Sequence, residues 1–139
     1  MQQRTLLFIK LDIELTKEDI ARAESEIANQ EKFIAAEEKF IPVLIAHNMQ
    51  TDQTERLIKQ GKEIIEATKA RIEKYKKNLT AAEAKEKAFM EKLHGIEDPE
   101  LKEMATAYFI DLESCEAIGK RHFLERTTVY KKIQRYFEA

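Results

Sequence analysis

Residues Thr54–His94, TERLIKQGKEIIEATKARIEKYKKNLTAAEAKEKAFMEKLH, decide the fold. Ile58, Ile65, Ile72, Leu79 and Leu93 fall on one heptad position, with Glu86 as the charged interruption. Gly61, Thr68, Tyr75, Ala82, Phe89 and Ile96 occupy the position three residues later. A seven-residue repeat of this length predicts a long helix with a coiled-coil-like seam.

Upstream the same period returns. Ile13, Ile20, Ile27, Ile34 and Ile41 recur every seven residues, with Ala23, Phe33 and Phe40 widening the stripe. Thr16 is a suitable cap, and Glu18 and Asp19 stand in the first turn, where the helix dipole favours acids. Pro42 is expected to end or kink this helix, Val43-Leu44-Ile45 to pack at the bend, and His47 to Thr54 to form a loop. Two such helices joined by a short loop give an antiparallel hairpin, or a larger bundle if two chains associate. Core packing within one chain produces the same seam. The first fifteen residues are ambiguous, because Ile9, Leu11, Ile13 and Leu15 alternate with Lys10, Asp12 and Glu14 at the period of a strand. No second strand candidate follows, so the reading leans to helix, with a short strand pairing across a dimer as the alternative.

Composition agrees with an all-α chain. Only 3 glycines and 2 prolines punctuate 139 residues, and 36% of the residues are charged, as in long solvated helices. The single cysteine, Cys115, excludes an internal disulfide framework and fits a reducing compartment. Leu6-Leu7-Phe8-Ile9 is too short for a signal peptide and nothing approaches a membrane span, so a soluble cytoplasmic protein is expected, with no membrane partner. The net charge of −2 does not by itself favour nucleic acid.

Downstream, His94-Gly95 supplies a glycine stop, and Asp98-Pro99-Glu100 supplies a cap followed by proline at the first helical position. The boundary is placed here. Residues 1–95 read as the hairpin segment and residues 96–139 as a small module of three short helices. The first spans Pro99 to about Ile110, with Leu101, Met104, Ala105, Tyr108 and Phe109 on its apolar face. Ser114 caps the second, which runs to about Arg121, and the third follows a tight connection at His122-Phe123-Leu124. Gly119 suits a close crossing of the last two helices, whose shared core takes Ile118, Leu124, Val129 and Ile133.

That pattern is a helix-turn-helix. It leaves Arg126, Thr127, Tyr130 and Lys131 on the outer face of the last helix, where such a fold contacts base edges in the major groove. Between Gly119 and Tyr136 stand Lys120, Arg121, Arg126, Lys131, Lys132 and Arg135 against Glu125 alone, a basic footprint suited to phosphates. Lys120, Arg121, Lys132 and Arg135 are the expected phosphate contacts on double-stranded DNA.

Tyr108-Phe109-Ile110-Asp111, Ser114-Cys115-Glu116-Ala117-Ile118-Gly119 and Glu125-Arg126-Thr127-Thr128-Val129-Tyr130 together resemble the C-terminal region of sigma factors that reads the −35 element. With a charged helical segment in front, the layout is similar to small phage regulators of Gram-positive bacteria, the RinA/ArpU-like late-gene activators. The resemblance implies a phage or prophage transcription regulator acting near a promoter, with RNA polymerase as a further partner and the hairpin as a dimerisation or polymerase-contacting element. The chain departs from the pattern at two places. Phe123 stands where many such modules have glycine in the turn, and Glu125 stands where many have a serine or threonine cap.

No other chemistry competes strongly. His47, His94 and His122 have no metal-ligand spacing with one another or with Cys115, so neither metal nor cofactor is expected. Cys115 lies near a helix start, which lowers thiol pKa values, yet no basic residue adjoins it, and a structural thiol is expected. Without a phosphate loop, nucleophile elbow or paired carboxylates, no enzymatic activity is expected. The competing class is an interaction protein, such as a phage-encoded inhibitor or anti-repressor that grips a host protein through its hairpin.

Overall fold

A computed structural model of the chain describes residues 1–138. Five helices follow one another: α1 (Thr5–Ala46), α2 (Asp52–His94), α3 (Pro99–Phe109), α4 (Cys115–His122) and α5 (Arg126–Glu138). There is no strand among the described residues. The chain is all-α: two long helices form a hairpin, and three short helices follow.

The N-terminal segment is helical from Thr5. Its alternating apolar pattern was ambiguous because Leu11 and Leu15, which complete the period of two, are exposed. Leu6, Ile13 and Thr16, spaced as on one helix face, are the buried positions. Pro42 does not end α1. It sits on the exposed side, where the Glu38 carbonyl that loses its amide partner faces water, and the helix continues for another turn. It closes beyond Ala46 with Asn48 in the left-handed region (φ 55°) and the Met49 amide donating to the Leu44 carbonyl at 2.9 Å. Val43 and Ile45 accordingly stay exposed on the helix instead of packing at a bend.

The packing divides into two units, Leu15–Leu79 and a second formed by Met1–Glu14 with the chain from Thr80 onward. The break therefore crosses both long helices, and the expected boundary at 95/96 is not where the contacts separate. In the hairpin unit the heptad seam is internal. Ile34, Ile58 and Ile65 form its core, with Ile27 and Ile41 packed against them. Gly61 permits the close approach, since a Cβ there would stand 2.9 Å from Ile34 Cγ1. Thr68 is buried in the seam with its hydroxyl satisfied by donation to the Ile64 carbonyl at 2.8 Å. Arg71 bridges to Glu26 across the hairpin at 2.8 Å. Phe33 and Phe40, expected to widen the stripe, are instead exposed beside it.

The second unit has the larger core. Leu6 of α1 and Phe89 and Leu93 of α2 join Met104, Phe109, Ile118, Val129, Ile133 and Phe137 in one cluster. Phe89, Phe109 and Phe137 meet pairwise, with ring centroids 4.8–5.2 Å apart. Each such pair contributes about 0.5–1.5 kcal/mol beyond area burial. Tyr136 donates to the Lys92 carbonyl at 2.7 Å, and Lys92 Nζ donates to the Phe137 carbonyl at 3.0 Å. The three short helices are thus built onto the ends of the long ones, because residues 96–139 alone lack the apolar area that Leu6, Phe89 and Leu93 supply.

Candidate nucleic-acid interface

Local chemistry sets the three short helices as the sequence predicts. Asp98 caps α3 by accepting from the Glu100 amide at 3.0 Å, with Pro99 at the first helical position. Ser114 caps α4 by accepting from the Ala117 amide at 3.1 Å. α4 ends in a left-handed residue, Phe123 (φ 59°), and the Leu124 amide donates back to the Gly119 carbonyl at 2.9 Å. This six-to-one bond is the Schellman closure of a helix, here made without glycine at the left-handed position. Gly119 has the opposite role: a Cβ on it would lie 2.4 Å from the Leu124 carbonyl oxygen. The turn between α4 and α5 is therefore tight because position 119 carries no side chain.

α5 buries Val129, Ile133, Gln134 and Phe137. Arg126, Thr127, Tyr130 and Lys131 are exposed. Together with Cys115 these four line a shallow hollow of about 270 Å³. Arg126 and Thr127 also border a second hollow, of about 430 Å³, with Lys120, Leu124, Glu116 and Glu125. Five of the eight expected contact residues thus stand around the N-terminal end of α5. The Thr128 and Val129 amides donate to the Glu125 carbonyl at 3.0 and 3.1 Å, which leaves the Arg126 and Thr127 amides at the helix start as the ones suited to a phosphate oxygen.

The other three differ. Lys132 and Arg135 are exposed, and their helical spacing from Arg126 and Tyr130 puts them on another side of α5. Arg121 is already engaged: its Nη1 and Nη2 donate to the two carboxylate oxygens of Glu113 at 2.8 and 2.7 Å. That contact holds the Glu113 carboxyl below its ordinary range and pushes the Arg121 guanidinium up. Lys120 Nζ stands 3.8 Å from Glu116. Among the described residues, Arg126, Lys131, Lys132 and Arg135 carry no ion pair. The basic footprint that sequence counting gives as six cations is therefore four unpaired ones.

One feature escaped the sequence reading. Gln134 is buried because the chain's first residue returns to it. Its side-chain oxygen accepts from the Met1 amino group, and its Nε2 donates to the Met1 carbonyl at 2.6 Å. No local pattern signals a contact between residues 133 positions apart. Cys115 is half-buried, and burial pushes its thiol pKa up, so its place at a helix start does not activate it. The phenol pKa of Tyr108 is also raised, first by its own burial and then by Cys115 and Tyr130.

Among the described residues no group of three or more His, Cys, Asp or Glu side chains could hold a metal ion, and no helix is long and apolar enough to cross a membrane. No family model, curated protein or solved structure matches the chain.

Proposed function

We propose that the protein binds double-stranded DNA through α5 and regulates transcription, in the manner of the phage regulators its C-terminal segment resembles. The observation that carries this reading is the N-terminal face of α5. Arg126, Thr127, Tyr130 and Lys131 are exposed there side by side, with neither cation paired, on a helix held by a tight turn against α4.

In this reading α5 lies in the major groove. Arg126 donates to the O6 and N7 acceptors of a guanine, Thr127 meets a base edge or a thymine methyl, and Tyr130 and Lys131 extend the contact along the groove. Lys132 and Arg135 neutralise phosphates. Arg121, spent on Glu113, contributes less than its charge suggests. The Arg126 and Thr127 amides at the start of α5 add a phosphate site that needs no side chain. The partly paired Lys120 and the nearby Glu116 and Glu125 moderate affinity, which leaves base contacts a larger share of the binding energy.

Salt tests the reading. Lys132 and Arg135, the two cations placed on phosphates, displace counterions to give a slope of log K against log salt of about −1.8 per module, or roughly a 12-fold loss between 50 and 200 mM. Fluorescence anisotropy of a labelled duplex from the gene's upstream region measures it. Steep salt dependence that survives competitor DNA supports a sequence-reading regulator; absence of binding at low salt contradicts it.

A further inference from the structure

The two hollows at the start of α5 differ in chemistry. The larger, of about 430 Å³, carries both signs of charge in its wall, from Glu116, Lys120, Glu125 and Arg126. The smaller, of about 270 Å³, lies between Cys115, the first residue of α4, and Arg126, Thr127, Tyr130 and Lys131 of α5. Its wall is almost wholly apolar. The Cys115 thiol, the Thr127 methyl and the Tyr130 ring are the apolar groups these residues bring. Arg126 and Lys131 add alkyl stems and keep their charged ends in water. Cys115 also packs against the core of the unit, so the α4 side of the hollow is anchored.

We infer that this hollow receives the C5 methyl group of a thymine and so selects one T·A pair beside the base pair read by Arg126. The inference rests on the proposed placement of α5 in the major groove. Base edges there present acceptors and amino donors, and unmodified DNA has one apolar group to offer, the thymine methyl. An amino group or carbonyl oxygen brought against an apolar wall gives up its water and gains no partner, whereas a methyl group gains by the same move. The hollow is too shallow to enclose a free ligand, so its occupant arrives as part of a larger surface. Thr127, whose residue type alone allows either a base edge or a methyl, is here a methyl contact. Helix geometry gives the position. Arg126 and Tyr130, on two sides of the hollow, are about 6 Å apart along the axis at 1.5 Å per residue. Successive base pairs are about 3.4 Å apart, so the thymine stands within about two base pairs of the guanine that Arg126 reads.

The test is anisotropy with the full chain and a series of upstream duplexes in which each thymine in turn is replaced by uracil, which lacks only the methyl. Uracil at one position should weaken wild-type binding about fourfold, the worth of one buried methyl, and elsewhere by less than about twofold. That position should lie within about two base pairs of the guanine whose replacement Arg126→Ala tolerates. Thr127→Ser removes a methyl from the wall at an exposed position and should shrink the thymine–uracil difference to below about twofold. Cys115→Ser makes the α4 side of the wall polar and should do the same. An effect of uracil on DNA shape would be equal in wild type and variants, so the coupling between base and side chain isolates the hollow. If no thymine is sensitive, or the uracil penalty is equal in wild type and both variants, the inference is overturned while competitor-resistant binding leaves the DNA reading standing. No binding at low salt, or binding that competitor DNA abolishes, overturns both.

Discussion

A side chain at Gly119 would collide with Leu124: its Cβ would stand 2.4 Å from the Leu124 carbonyl oxygen. The obstacle is backbone, which cannot rotate away as a flexible side chain could. The same carbonyl belongs to the turn that aims α5, so local sterics and the orientation of the proposed reading helix are one problem. Gly119→Ala should lower stability by about 1–3 kcal/mol, the usual range for overpacking. Urea unfolding checks this. A loss under about 0.5 kcal/mol would mean that α5 shifts freely on α4.

Phe123 presents the reverse case. It is 95% exposed and held at φ 59°, where a residue with a Cβ is strained by about 1–2 kcal/mol. Its ring contributes no burial in return. Phe123→Gly relieves the strain but loosens the unfolded chain, for a net gain of about 0.5–1 kcal/mol. Thermal melts of the two proteins decide it, and a destabilised glycine variant would show that the ring has a contact worth more than the strain.

Glu113 couples pH to the module. Its carboxyl is held below the ordinary range by the hydrogen bond from Arg121, so the folded state binds a proton less readily than the unfolded one. The stability this gives is present above the unfolded carboxyl range near 4.5 and is lost as pH falls through the lower folded value. Because the pair is exposed the effect is small. Glu113→Gln should flatten the acid limb of a urea-midpoint profile. It should also free Arg121 and steepen the salt dependence of DNA binding by about 0.9, one further phosphate contact. An unchanged slope would show that Arg121 does not reach DNA even when released.

Cys115 should behave as a half-buried, unactivated thiol. Burial pushes its pKa up, so the reactive thiolate is scarcer at neutral pH than in a free cysteine. Alkylation of the native protein at pH 7.5 should be slower than of the urea-unfolded chain, with the rate rising as pH is raised. Faster labelling of the native state would point to an activating group near Cys115.

Much of this architecture is legible from residue spacing. Heptads mark both long helices, Asp98-Pro99 and Ser114 mark two helix starts, and Gly119 marks the tight turn. What spacing does not show is which side of a helix a neighbour covers. Phe33 and Phe40 lie one position before the seam isoleucines and look like its margin, yet they face outward. Pro42 breaks helices in general but not on an exposed side with a solvated carbonyl. Charge counting is similarly blind to pairing: Arg121 and Glu113 are eight residues apart, and only the loop after α3 brings them together. The burial of Gln134 depends on the chain's first residue returning to it, which no local rule anticipates.

Base reading by Arg126 is the central claim, and competition anisotropy with wild-type protein and Arg126→Ala tests it most directly. Both proteins are titrated into a duplex from the upstream region and into a scrambled duplex of equal length and salt. The account predicts that the substitution weakens binding to the upstream duplex by about 1–3 kcal/mol and leaves binding to the scrambled one nearly unchanged. Equal losses on both duplexes would reduce Arg126 to a phosphate contact and contradict the account.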